Sequence, residues 1–397
     1  MLKKALLFFF VMALAFAVAS CGNQNDKPAV TTAPTTTTQP VITLGTTTAP
    51  IHITTTMRYP STTTVPVGTT QPTPTTTAPS NLDIPSVTLP LTGETLLTPP
   101  EVTSLTYVAQ KPIVVSDEFL LKIEQTKEDV YRGNLLLINN NYPVRNETKL
   151  AEECMSEIYG SRVLVDKKAV YYLSNTTIKA DTDVIDALNE MFSAYYKDEE
   201  ATFKYLTIYT GYRPYGSQQT RYDKAYKTYA EDTYMYEPKA GYSEYQSGLS
   251  VFFKLSEDGL VYEMNSSVAK PALDWLEANA HKYGFIFRYP TDKREITEMK
   301  GDFSEYQLRY VGKAHSLFMK EYDLCLEEYM TFLKNFHIDT QHLLVTVGFD
   351  QYESFYVPVA EDITEIKFAK DAQYEVSGNN VDGFIVTLYR DISAKKD

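Results

Sequence analysis

"GYSEYQSGLSVFF", residues 241–253, joins a short polar turn to an apolar strand, and the reading of this join decides the fold. Ser243 and Gly248 frame the polar part. From Leu249 to Leu255 the sequence reads as a strand, and "VYEM" (261–264) pairs with it across the turn Ser256–Gly259. Upstream, "YLTIYTGYR" (205–213) is a second strand ending at Gly211. Pro214 then opens a helix that carries Gln218, Gln219, Tyr222 and Tyr226 on neighbouring turns. Downstream, Val268–Tyr283 is a helix holding the only tryptophan, Trp275, and "GFIFRYP" (284–290) and "YQLRYVG" (306–312) are strands. Two helices follow, near 313–321 and 323–335.

Further from the opening stretch, apolar spacing and Ser116 as N-cap predict a helix over Asp117–Gln125. "LLLI" (135–138) reads as a buried strand running into an Asn-rich turn. Val184–Tyr196 is an amphipathic helix with Asp183 as N-cap. Residues 336–397 alternate as short strands and read as a small β-rich C-terminal module. The sum is an α+β domain over 101–335, its sheet mostly antiparallel, with the β module appended.

The N-terminus sets the compartment. Lys3 and Lys4 precede an apolar run from Ala5 to Ala17, too short for a permanent span, which reads as a secretory signal over residues 1–20. The junction Val18-Ala19-Ser20-Cys21 resembles a bacterial lipobox, so Cys21 is the expected lipidated residue and the membrane an expected partner. The stretch up to residue 100 is rich in Thr and Pro, with "TTTAP" at 46–50 and again at 75–79, and it reads as a disordered linker. Extended at about 3.1 Å per residue, it reaches on the order of 200 Å, enough to carry a domain into a cell wall. The formal net charge of −14 argues against nucleic acid as a partner. Cys154 and Cys325 are equally readable as a disulfide pair or as two buried thiols.

Four blocks carry a resemblance: "TGYRPYGSQQTRY" (210–222), "GYSEYQSGLSV" (241–251), "WLEANAHKYGFIFRYP" (275–290) and "SEYQLRYVG" (304–312). In order and spacing they resemble the VanY-type zinc D-alanyl-D-alanine carboxypeptidases, over roughly 132–335. The resemblance implies a VanY/Hedgehog-like zinc peptidase fold and peptidoglycan stem peptides as ligand. It also implies zinc held by the His and Asp of a Ser-x-His-x-x-Gly-x-x-x-Asp motif and by a later His, with a Glu three residues before that His as general base. Two imidazoles and a carboxylate leave an open position where water is acidified.

This chain departs at each of those places. Tyr245 and Phe252 occupy the first two ligand positions, Gln307 the third, and Ser304 the general-base position. The expectation is therefore no zinc and no hydrolysis: a pseudoenzyme that keeps Arg213, Gln219 and Ser243 as substrate-binding residues. Two alternatives stay open. One is an active carboxypeptidase with a rearranged metal site, drawing on Glu305 or a distant histidine such as His281 or His315. The other is a protein-interaction module that meets an envelope protein. Eleven tyrosines between 205 and 245 read mainly as core aromatics with their hydroxyls at the surface, or else as a groove for sugars or peptides.

Overall fold

Alternation of apolar side chains sets up the sheet on which the site is built. In the strand Ser250–Glu257, Val251, Phe253 and Leu255 are fully buried on one face, while Ser250, Phe252 and Lys254 point to the other. The computed structural model describes residues 105–112, 116–165, 167–198, 205–257, 259–300, 306–370 and 372–391. The signal segment, Cys21, the Thr/Pro linker, Ser304 and Glu305 lie outside the described residues.

Ser250–Glu257 is central in a sheet whose order is Phe285–Phe287, Gln307–Tyr310, Ser250–Glu257, Tyr205–Thr210 and Tyr172–Leu173. Leu260–Tyr262 pairs onto its end across the expected turn. Every pairing is antiparallel except that of Tyr172–Leu173 with Tyr205–Thr210. The helices Thr182–Lys197 and Lys270–Asn279 cover the core face, burying Val184, Leu188, Phe192 and Leu276 against Ile208 and Phe253. The fold is α+β, as its patterning indicates. The cap of the longer helix is Asp181 rather than Asp183, since the Asp181 carboxylate accepts from the Asp183 backbone N–H.

A second, five-stranded antiparallel sheet runs in the order Leu105–Gln110, His342–Val347, Asp350–Pro358, Gly383–Asp391 and Gln373–Gly378. Its apolar face packs on the helices Lys313–Glu321 and Leu326–Leu333, with Phe318, Leu326, Leu343 and Ile385 in the shared core. The strands after residue 336 are not self-contained. Leu105–Gln110 supplies their edge, and Leu120–Thr126 pairs with Ile363–Ala369. The boundary read at 335/336 therefore does not separate the hydrogen bonding, because partners so distant in sequence leave no local trace.

Two local expectations are corrected. The helix expected over Asp117–Gln125 is a single turn at Asp117–Phe119 followed by the strand Leu120–Thr126. A short apolar run fits both periods, and the pairing with Ile363–Ala369 selects the strand. The "LLLI" segment is buried, as expected, but it joins no ladder. Its backbone is satisfied mainly by side chains, with the Leu137 N–H donating to the Asn379 carbonyl at 3.2 Å. Arg309 donates to the carbonyls of Asn134 and Leu136, Arg288 to that of Ile138, and Asn380 to that of Leu137. Buried backbone must be paired somewhere, and here arginines do what a neighbouring strand would do.

Both arginines are fully buried, and both donate to one carboxylate. Arg288 Nε lies 2.5 Å from Glu244 Oε1 and Arg309 Nε 2.7 Å from Glu244 Oε2. Glu327 completes the set with bonds of 2.9 and 2.7 Å to Arg288. Burial works against the charge on Arg288, yet Glu327 and Glu244 outweigh it and hold its pKa well above the ordinary arginine value. Two guanidinium and two carboxylate groups balance, and removing one strands the others. Glu244→Gln is expected to lower stability by about 3–5 kcal/mol in urea unfolding at neutral pH; an unchanged midpoint would contradict the network.

Candidate functional site: a cleft without a metal donor set

The turn Glu244–Ser247 hangs from Ser243 and ends at Gly248, whose φ of +76° is left-handed. A Cβ there would also lie 2.9 Å from Met155 Sδ, so the position requires glycine on two counts. Gln246 fastens the turn: its Oε1 accepts from the Gly241 N–H at 2.6 Å, and its Nε2 donates to Glu147 at 2.7 Å. The other oxygen of Glu147 accepts from the Tyr212 hydroxyl and the Tyr215 N–H, both at 2.9 Å. Glu147 thus ties the turn to the segment that carries Arg213.

Arg213 and Tyr245 meet as a result. The Arg213 N–H donates to the Tyr245 carbonyl at 3.0 Å, and the guanidinium carbon stands 4.4 Å from the centre of the Tyr245 ring. Arg213 Nη1 donates to Gln218 at 2.7 Å and to Glu237 at 3.2 Å, leaving Nε and Nη2 without a protein partner among the described residues. Burial lowers the pKa of Arg213, with Tyr245 and Glu237 opposing. Gln218, fully buried, is the glutamine that faces this arginine; Gln219 instead bonds along its own helix to Asp223 at 2.7 Å. One residue of helix turns a side chain through about 100°, and the pair "QQ" gave no means of choosing between them.

The other positions gather on the sheet face opposite the core. Phe252 and Gln307 are directly opposed across neighbouring strands, and Ser250 opposes Arg309 two pairs further on. Ser243 is buried and immediately precedes Glu244, which accepts from Arg309. The Oγ of Ser243, the Oγ of Ser250 and the Nε2 of Gln307 have no hydrogen-bond partner among the described residues. Each orphan of this kind costs about 1–3 kcal/mol.

The donor set does not fit a zinc ion. Phe252 has no lone pair, and Gln307 brings a neutral amide. Burial raises the pKa of the Tyr245 phenol, with the Arg213 charge opposing, so its hydroxyl keeps its proton at neutral pH. Among the described residues no three His, Cys, Asp or Glu side chains come together as a metal-holding group. The histidines weighed as substitutes are engaged or stranded elsewhere. His315 sits between the Tyr329 hydroxyl at 2.8 Å and the Thr387 hydroxyl at 3.0 Å. His342 faces Glu353 at 2.7 Å and the Ile338 carbonyl at 3.0 Å. His281 is half-buried with its Nδ1 unpartnered. Cys154 and Cys325 are both free thiols.

This geometry coincides with the comparisons. The family VanY, D-alanyl-D-alanine carboxypeptidase, matches residues 177–313. A D-alanyl-D-alanine carboxypeptidase of Enterococcus faecium is 37% identical over 268 residues, which is 66% of this chain and 78% of that protein. The chain belongs to the VanY-type D-alanyl-D-alanine carboxypeptidase family. The putative carboxypeptidase YodJ of Bacillus subtilis is 34% identical over 157 residues, 38% of this chain and 54% of YodJ. Among solved structures, the vancomycin resistance D,D-dipeptidase VanXYg in complex with a D-Ala-D-Ala phosphinate analogue aligns with a TM-score of 0.56 and 30% identity. That alignment covers 68% of this chain and 99% of VanXYg. The VanY match takes in the Arg213 segment, the Ser243–Gly248 turn and Gln307, so the departures lie inside the family's own region.

Two outcomes test this description. The combined variant Tyr245→His, Phe252→Asp and Gln307→His is expected to take up zinc near one per chain by elemental analysis, while the parent stays far below that. If the variant stays empty as well, these three side chains do not converge as the register implies. Separately, burial holds His315 neutral by lowering its pKa from 6.5 to about 3. The unfolded chain then binds a proton that the folded chain refuses, so stability falls as pH drops from 6.5 toward 3. Urea midpoints at pH 7.5 and pH 5, about one unit above and well below the free-histidine value, should show this slope, and His315→Asn should flatten it.

Proposed function

We propose that the chain is a cell-surface lipoprotein whose carboxypeptidase-like domain binds peptidoglycan stem peptides without hydrolysing them. The observation that carries this reading is Arg213. Its side chain is only 11% exposed, it is steadied by Glu237, Gln218 and the Tyr245 ring, and its Nε and Nη2 have no partner among the described residues. A planar fork with a free edge is matched to a carboxylate, and a stem peptide ending in D-Ala presents one. VanXYg, of the same fold, is described in complex with a D-Ala-D-Ala analogue.

Loss of hydrolysis follows from the donor chemistry. Without three ligands no zinc-bound water is acidified, and Ser304 in place of the general base has no carboxylate to take that water's proton. The peptide would be held and not cut. Cys21 and the Thr/Pro stretch fit this role, placing a binding domain in the wall while a lipid retains it at the outer face of the membrane.

The test is direct. Incubated with an L-Lys-D-Ala-D-Ala peptide, the chain is expected to release no D-Ala, with or without added zinc. Calorimetry should nevertheless show binding, weakened about tenfold or more in Arg213→Ala by loss of a charge-assisted hydrogen bond. D-Ala release abolished by a chelator would overturn the reading in favour of a rearranged metal site. No peptide binding, with an envelope protein captured instead, would favour an interaction module.

A further inference from the structure

We infer that Gln307, at a position the family gives to a metal ligand, has become an oxygen-binding residue, its side-chain amide donating a hydrogen bond to the bound peptide. The inference rests on the stem-peptide reading and names a contact that reading does not contain.

Gln307 is 4% exposed, and its Nε2 finds no partner among the described residues. A buried side-chain amide is ordinarily satisfied, so an orphaned one on a binding face implies a missing acceptor. The orphan is not isolated. Ser243 Oγ and Ser250 Oγ are also buried and unpartnered, and the sheet register sets Ser250, Phe252, Gln307 and Arg309 on one face. Side chains two residues apart on a strand stand about 7 Å apart on that face, which puts Gln307 close to Arg309 and to the Glu244 carboxylate that Arg309 holds. That carboxylate accepts from Arg288 and Arg309, and among the described residues it makes no bond to the Gln307 amide.

What remains beside Phe252 is a cluster of buried N–H and O–H donors without acceptors among the described residues. An acceptor-rich ligand fits it, and a peptide brings two kinds of acceptor, a backbone carbonyl and a terminal carboxylate. A zinc ion draws in such an oxygen and also activates water against it. An amide N–H can do only the first. The substitution of glutamine thus keeps an attraction for peptide oxygen while removing the chemistry, and Phe252 supplies an apolar wall where a charged ligand side chain would repel a carboxylate.

The decisive variant is Gln307→Met, which keeps the length and removes the donor. Calorimetry with an L-Lys-D-Ala-D-Ala peptide should show about a tenfold or greater loss of affinity, since one hydrogen bond to the ligand is gone. The melting temperature without ligand should hold or rise, because an unsatisfied buried group has been replaced by an apolar one. Gln307→Glu, which turns the donor into a charged acceptor, should abolish binding. A peptide with an amidated C-terminus separates the two acceptors. If its binding still falls in Gln307→Met, the carbonyl is the acceptor; if it does not, the carboxylate is. Should the parent bind and Gln307→Met bind equally well, the inference fails while the stem-peptide reading stands. If the parent itself binds no peptide, both fall.

Discussion

One buried carboxylate holds the site together. Glu244 takes the Nε of Arg288 on one oxygen and the Nε of Arg309 on the other, and all three side chains are essentially without solvent. The two guanidinium groups turn their remaining N–H groups to the carbonyls of Asn134, Leu136 and Ile138, so a segment in no sheet ladder is fixed largely by side chains. Glu244 itself lies in the turn between Ser243 and Gly248. The geometry of that turn, the register of the sheet beneath it and the packing of residues 134–138 are therefore aspects of one ion network. Such a network tolerates no partial loss, because any unpaired member is a buried charge.

This constraint separates the frame of the site from its chemistry. Gly248, Glu147 and Gln246 shape the turn, and the arginines anchor it. None of them depends on what stands at Tyr245, Phe252 or Gln307. The frame's hydrogen bonds do not run through those three side chains, and each is accommodated separately. Tyr245 lies beneath Arg213, Phe252 fills space opposite Gln307, and Gln307 is buried with its amide N–H unmet. A fold whose scaffold and chemistry are held by different interactions can lose one and keep the other.

Much of this was legible beforehand. The strand Ser250–Glu257, its partner Leu260–Tyr262, the helix after Pro214 and the strand at Gln307 announce themselves by period and by turn residues. Tyr245, Phe252, Ser304 and Gln307 could be singled out from the sequence because the resemblance fixes what is expected at each spacing. Errors fell where a local pattern was compatible with two structures. Leu120–Thr126 fits a helix or a strand, and Gln218 and Gln219 differ only in helix phase. "LLLI" is apolar enough for a strand, yet its carbonyls are claimed by arginines 150 or more residues away in the chain.

The sequence by itself determined the family blocks and which side chains stand at Tyr245, Phe252 and Gln307, the spacings that the resemblance gives to metal ligands. These are properties of single residues and short spacings, which chemistry can judge without coordinates. Only the tertiary structure decided which of two adjacent glutamines steadies Arg213, that the two ends of the globular chain share one sheet, and that Glu244 joins Arg288 to Arg309. It also decided that Gln307 is buried with its donor unmet. Hydrogen-bond satisfaction is a relation between groups remote in the chain, and it exists only once folding has brought them together.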